Sequence, residues 1–179
     1  MGKVYLVGAG PGDPGLYTIK AREIIAKADV IVYDFLANEV FLEWINKECK
    51  VIYAGKKGGD HTLSQDEINS LLVELASKYD IVVRLKGGDP YMFGRGGEEA
   101  EFLVDRGINF EVVPGVTSGI AATAYTGIPL THRNFSSSVT FVTGHEANTK
   151  ETSVIEWDKL ARSASTLVFF YGGKKISPI

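Results

Sequence analysis

Cysteine is almost missing from this chain. Cys49 stands alone, so no internal disulfide can form, and the paired thiolate spacing of a structural zinc site is absent too. A half-buried thiol in a reducing, cytoplasmic setting is the expectation. Histidine is nearly as sparse. His61, His132 and His145 have neither ligand spacing nor a supporting cluster of acids, and no metal is expected. Long apolar runs are lacking: a stretch such as Leu167 to Tyr171 falls far short of the roughly 20 residues that span a bilayer. Met1-Gly2-Lys3 runs straight into a strand-like segment with no signal-peptide pattern. Leu6 stands where N-myristoylation requires Ser or Thr. There is no excess of positive charge either. A net charge of −3 offers no whole-surface attraction for nucleic acid or membrane, although a local basic pocket remains open.

What is present is a soluble, globular composition. With 45% apolar side chains in 179 residues, the chain can bury a substantial core, as one large domain or two small ones. β-Branched runs alternate with helix-period segments. Strands are predicted at Lys3 to Val7, Val30 to Tyr33, Lys50 to Tyr53, Ile81 to Leu85 and Phe110 to Val113. Helices are predicted from Thr18 to Ala28, Asn38 to Asn46, Gln65 to Lys78 and Gly97 to Arg106. Ser64 and Glu67 form a capping box, and Gly107 closes a helix.

Strands separated by helices imply an α/β fold with a mostly parallel sheet. Residues 1–113 are expected to form one α/β domain. Residues 114–179 restart the pattern with a small-residue helix near Thr117 to Tyr125 and a strand near Ser138 to Thr143. A helix near Trp157 to Ala164 and a strand at Thr166 to Phe170 follow. That last strand has no crossover helix after it, so the second α/β domain is expected to be truncated.

Glycine gathers directly after the strands, at Gly8-Ala9-Gly10-Pro11-Gly12-Asp13, at Gly87-Gly88-Asp89-Pro90 and at Gly172-Gly173. The carboxyl ends of parallel strands are where open α/β sheets bind ligands, although any one cluster is equally a tight turn. The first cluster is a poor dinucleotide site. Asp13 replaces the third glycine of the fingerprint, Pro11 removes an N–H, and no Gly-Lys-Ser/Thr follows. Asp34, closing the second strand, keeps a dinucleotide fold open as a ribose-binding acid, and a helix N-cap is its structural alternative. A ligand with a sulfonium, an amine and a carboxylate suits the clusters better than a polyphosphate, because Gly87 and Gly88 permit close backbone approach.

Cations recur at the strand ends: Lys56 and Lys57, Arg84 and Lys86, Arg95, and Arg133. Such a set suits a polyanionic small molecule, since guanidinium pairs bidentately with carboxylate; solvated surface charge is the plainer reading of each alone. Tyr91-Met92-Phe93-Gly94-Arg95 places aromatic side chains beside a cation, suited to a planar ligand or to core packing. Ser136-Ser137-Ser138 lacks a Gly-x-Ser-x-Gly elbow and reads as a strand lead-in.

Taken together, these segments resemble the uroporphyrinogen III C-methyltransferases of the tetrapyrrole methylase family. The likeness runs through Val7 to Leu16, Val83 to Glu99, Val113 to Ser118, Gly127 to Arg133 and Val142 to His145. It implies two α/β domains with S-adenosylmethionine, the methyl donor, in the cleft between them. It also implies a homodimer that takes uroporphyrinogen III and later precorrin intermediates, with no nucleic acid or membrane partner. By that likeness Pro11, Gly87, Gly88, Asp89, Met92, Thr117 and Ser118 contact the donor. Asp34 is the proton acceptor and Lys56 a proton donor, while Arg95, Glu98 and Arg133 handle substrate.

Tyr171 stands where the family often has a donor-contacting Met. The implied reaction is two successive methylations of uroporphyrinogen III to precorrin-2, feeding siroheme or cobalamin synthesis. Aligning two bound partners and excluding water carries most of it, and a carboxylate, ionised at neutral pH, assists removal of the pyrrole proton. A later precorrin methyltransferase is the nearest alternative. Family members run on past residue 179, so an inactive donor-binding or dimerising fragment is the other.

Overall fold

β-Branched runs form the strands of this protein, and the helix-period segments between them form the crossovers that parallel pairing requires. The computed structural model describes residues 1–55, 63–144 and 155–172, in two units, Met1–Ser118 and Gly119–Ile179. In the first unit the strands are β1 (Lys3–Gly8), β2 (Val30–Tyr33), β3 (Lys50–Tyr53), β4 (Ile81–Lys86) and β5 (Phe110–Val113). They pair in parallel in the order β3-β2-β4-β1-β5.

Helices α1 (Ile19–Lys27), α2 (Gln65–Ala76) and α3 (Gly96–Val104) belong to the same unit. Two apolar layers hold it together. Val4, Leu6, Val32 and Val82 pack with Leu72 and Leu75 of α2 and Leu103 of α3. Val7, Ile31, Val83 and Leu85 pack with Ile25 of α1 and with Phe41. Burying each such side chain is worth about 1.5–3 kcal/mol, so the central strands are held from both faces.

Local signals set the element ends. Thr18 caps α1 by accepting the Ala21 N–H at 3.1 Å. Ser64 and Glu67 make the reciprocal capping box of α2. Beyond α3, Gly107 takes a left-handed φ of 65°, and the Ile108 N–H reaches back to the Leu103 carbonyl at 3.0 Å. This stop needs glycine and packs Ile108 beneath the helix end. The helix predicted over Asn38 to Asn46 is instead a short 3-10 segment, Glu39–Glu43, capped by Asn38. Its sole buried side chain is Phe41, and one anchor without a periodic apolar stripe does not sustain an α-helix.

The second unit pairs β6 (Val139–Thr143) with β7 (Thr166–Phe170) in parallel, alongside α4 (Ser118–Tyr125) and α5 (Trp157–Ser163). Gly119 lets α4 lie against phenyl rings, since a Cβ there would come within 2.7 Å of the Phe170 ring and 3.0 Å of the Phe141 ring. Among the described residues no helix is long and apolar enough to cross a membrane.

Candidate active site

The carboxyl ends of β1, β4 and β5 are fastened into one floor. In-register pairing sets Gly8 beside Lys86 and Val7 beside Val113. The loops beyond then bond to each other: Ala9 N–H to the Lys86 carbonyl at 2.7 Å, and Gly10 with Gly88 in both directions, at 3.1 and 2.6 Å. Such approach leaves no room for side chains. A Cβ on Gly8 would fall 2.6 Å from the Gly115 Cα, and one on Gly87 would fall 2.8 Å from the Leu36 carbonyl oxygen. Gly88 also needs its left-handed φ of 66°. The result is a set of closely joined main-chain segments, in which Gly88, with only the Thr117 Cα near its Cβ position, at 3.9 Å, leaves main chain a ligand group can approach closely.

Asp89 fastens this floor. Its carboxylate accepts the Tyr91 N–H at 2.8 Å through Oδ1 and the Gly115 N–H at 3.0 Å through Oδ2. Pro11 lies between Gly10 and Gly12, both at positive φ, in a loop tied to the start of the 3-10 segment after β2 by the Asn38 amide donating to the Gly12 carbonyl at 2.6 Å. Asp13 caps the short helix Pro14–Leu16. Thr117 is buried and Ser118 is exposed at the start of α4, and Met92 is half-buried.

Asp34 follows β2, and its loop meets Gly87 through Leu36. It is not a helix N-cap. Oδ1 accepts the Leu36 N–H at 3.2 Å in a local turn, while Oδ2 receives Arg84 at 2.8 Å. Arg84 and Lys86, expected among the pocket-lining cations, are interior residues with 3% and 4% exposure. They share the phase of Val82, which faces α2 and α3. There Glu99 accepts Arg84 Nε at 3.1 Å, Lys86 Nζ at 2.8 Å and the Gln65 amide at 3.2 Å, all through Oε1. Burial, with Arg84 adding to it, holds the Lys86 ammonium below its usual range against the opposing pull of Glu99. Neither Glu99 nor its partner Gln65 was singled out by the sequence reading. The signal available was the helical stripe Gly96, Glu99, Ala100, Leu103, all of it buried.

Downstream of the floor, the chain folds around Pro90, whose carbonyl accepts the Gly96 N–H at 3.0 Å. Phe93 and Arg95 take left-handed φ values of 52° and 59°, a conformation that side-chain-bearing residues rarely adopt and that clusters at functional sites. Arg95 grips Glu98 bidentately, at 2.8 and 2.6 Å. That hydrogen bond holds the Glu98 carboxyl below its usual range and raises Arg95. Both side chains stay about half exposed. An exposed pair is worth under about 1 kcal/mol, so another carboxylate can compete for the guanidinium fork.

In the second unit, Arg133 is exposed on a tight turn closed by mutual backbone bonds between His132 and Ser136. At the carboxyl ends of β6 and β7, a Cβ on Gly144 would come within 2.9 Å of the Gly172 Cα. Tyr171 there has a left-handed φ of 58° and an exposed ring. Lys56, Lys57, His61, His145 and Gly173 lie outside the described residues. Among the described residues no cluster of His, Cys, Asp and Glu is grouped to hold a metal ion.

A parallel sheet with a glycine floor at its carboxyl edge and a carboxylate beside it belongs to the class of open α/β proteins that bind small molecules at their strand ends. The chain belongs to the tetrapyrrole (corrin/porphyrin) methylases, whose family model matches residues 3–179. Within that family it is 56% identical to a uroporphyrinogen-III C-methyltransferase of Priestia megaterium, over 98% of this chain and 74% of the relative. It is also 56% identical to an S-adenosyl-L-methionine-dependent uroporphyrinogen III methyltransferase of Methanosarcina barkeri, over 98% of this chain and 69% of the relative. The crystal structure of a uroporphyrin III C-methyltransferase from Thermus thermophilus superposes with a TM-score of 0.80 at 42% identity, covering 97% of this chain and 72% of that one. A cobalt precorrin-4 methyltransferase matches as well in fold, with a TM-score of 0.81, but at 30% identity over 97% of this chain and 70% of that one.

Proposed function

We propose that the chain transfers methyl groups from S-adenosylmethionine to uroporphyrinogen III, two in succession, giving precorrin-2. The observation that carries this is Asp34, fixed by Arg84 just beyond the carboxyl end of β2, in the loop whose Leu36 packs on Gly87. Fold alone does not select the substrate, because the precorrin-4 enzyme superposes as well as the uroporphyrin enzyme does. Identity supports the choice: 56% to the uroporphyrinogen methyltransferases against 30% to the later-acting relative.

The residues present fit the donor, since Gly88, left-handed and with only the Thr117 Cα near its Cβ position, at 3.9 Å, leaves main chain that a ligand can approach closely. S-adenosylmethionine supplies an electrophilic methyl on a sulfonium. Pro11, Gly87, Gly88, Met92, Thr117, Ser118 and Tyr171 are the residues we assign to hold it. Asp89, with both oxygens already accepting N–H groups, sets the shape of the floor and adds negative charge beside it. Arg95 and Arg133 bind substrate carboxylates, and Glu98 holds the Arg95 fork in position until one arrives. Asp34 takes the proton that the ring system gives up once a pyrrole β-carbon, itself fully substituted and without hydrogen, is methylated, and Lys56 acts as a proton donor. The family resemblance supports a homodimer as the assembly state.

The test is incubation with uroporphyrinogen III and isotopically labelled donor. A product carrying two labelled methyl groups is expected; transfer only to a later precorrin would overturn the substrate. Asp34→Asn should slow turnover roughly a hundredfold or more, the usual scale of general-base catalysis, with donor affinity nearly unchanged. A large loss of donor binding in that variant would instead assign Asp34 to the donor site.

A further inference from the structure

The ionic cluster behind Asp34 is more elaborate than stability requires. Arg84, Lys86 and Glu99 are each at least 96% buried, and interior ion pairs are commonly replaceable by apolar residues without loss of stability. The contacts are unevenly distributed. Arg84 Nε, Lys86 Nζ and the Gln65 amide all converge on Glu99 Oε1, while Oε2, fully buried, has no hydrogen-bond partner among the described residues. Charge neutralisation alone would engage both oxygens. This arrangement instead specifies every edge of one guanidinium: Nε to Glu99, one terminal nitrogen to the Leu85 carbonyl at 3.1 Å, the other to Asp34 at 2.8 Å. Three anchors in different directions remove rotation about the Arg84 Cδ–Nε bond, and the Asp34 carboxylate inherits that fixed orientation.

We infer that Glu99 is a positioning residue for methyl transfer, acting through Arg84 to fix the carboxylate of Asp34. The inference rests on the proposed function in taking Asp34 as the proton acceptor. Glu99 sits in the first turn of α3, next to Glu98 and four residues beyond Arg95. The helix that presents Arg95 and Glu98 to solvent is thereby tied through the interior to the proton acceptor on β2. Lys86, paired with Glu99, brings the cluster to two cations against Glu99 and the part-buried Asp34.

The experiment compares Lys86→Met/Glu99→Leu with Lys86→Met/Glu99→Gln in the whole chain. Both remove one buried cation and one buried anion together, but only the second keeps an oxygen to accept Arg84 Nε–H. In the Leu variant kcat should fall roughly tenfold to a hundredfold, the scale of a misplaced reacting group. Donor Kd and uroporphyrinogen KM should stay within about threefold, as for an interaction used only in the transition state. The Gln variant should recover most of the lost kcat. Equal kcat in wild type and a folded Leu variant would overturn the inference, as would a parallel decline of kcat, KM, donor Kd and unfolding free energy. A readout without turnover accompanies these: the Arg84 Nε–H resonance of the wild-type chain should be protected from exchange, and an unprotected one overturns the anchoring whether or not the variants fold. A wild-type chain that transfers no methyl overturns the proposed function, and the inference with it. Protected Arg84 in an inactive chain tells that failure from a failure of the anchoring.

Discussion

Replacing Gly115 with alanine is the sharpest perturbation of the glycine floor. The new Cβ would lie 2.8 Å from the Gly8 Cα and 2.9 Å from its carbonyl carbon, and closer still to the Gly88 carbonyl oxygen. All three are main-chain atoms, so no flexible side chain can swing aside. Nor can the loops separate freely, because the Gly88 N–H is bonded to the Gly10 carbonyl at 2.6 Å and the Gly115 N–H to Asp89 at 3.0 Å. Relief therefore requires pushing the end of β5 outward and giving up the bond to Asp89. Overpacking costs about 1–3 kcal/mol, and a lost hydrogen bond to a charged group costs about 1.5–3 kcal/mol. A loss of about 2.5–6 kcal/mol is expected, a large part of the roughly 5–15 kcal/mol that holds a domain folded. Urea unfolding with linear extrapolation measures it, and calorimetry should show weakened donor binding in whatever fraction stays folded. Gly97→Ala is the control: a Cβ there meets nothing within 4 Å, and alanine in a helix should gain about 0.5–1 kcal/mol. A Gly115→Ala protein within about 0.5 kcal/mol of wild type, ordinary scatter for a harmless substitution, would refute the close packing of the three strand ends.

Three further outcomes follow from the same geometry. Gly107→Ala meets no neighbour within 4 Å but must hold a φ of 65°, so it should cost about 1–2 kcal/mol from backbone strain alone, again read by urea unfolding. Burial pushes the Tyr17 phenol up to about 12. Because the folded value is raised, its stabilising effect is complete below the ordinary tyrosine value and is lost as pH climbs through about 12. A tyrosinate absorbance titration should show a late ionisation step that Tyr17→Phe removes. Lys86 runs the other way. Its folded value is depressed below 10.5, so between the two values the unfolded chain holds a proton that the folded one has released. The unfolding free energy of wild type relative to Lys86→Met should then rise with pH toward 10.5, and a flat or falling difference would show that Lys86 keeps its proton.

Much of the fold was legible because its signals are local. β3, β5 and β7 fall on the residues expected from their β-branched and aromatic runs, and the Ser64–Glu67 capping box starts α2 where the sequence placed it. These elements depend on neighbours a few residues away. Arg84 and Lys86 were misread because a strand-end cation looks the same whether it faces solvent or the interior. Their phase with Val82 held the answer, but only once the face toward α2 and α3 was known to be covered. Glu98 and Glu99 are likewise indistinguishable by residue type. Helical period separates them, since Glu99 shares a stripe with Ala100 and Leu103 while Glu98 points outward.

The glycines divide in the same way, and that division locates the site more narrowly than their clustering does. Among the described residues, Gly12, Gly97 and Gly107 would each accept a Cβ with nothing within 4 Å, whereas Gly8, Gly87 and Gly115 would each drive one into main-chain atoms of another loop. The first group serves local conformation, and substitution there tests only backbone strain or helix propensity. The second group serves contacts between segments that lie far apart in sequence, which no local pattern can announce. Asp89 belongs with this second group. Its two oxygens accept the N–H groups of Tyr91 and Gly115, so it joins the loop after β4 to the chain beyond β5. The two acids at the carboxyl edge are therefore held differently: Asp89 by the main-chain N–H groups of Tyr91 and Gly115, Asp34 by the Leu36 N–H and the Arg84 guanidinium.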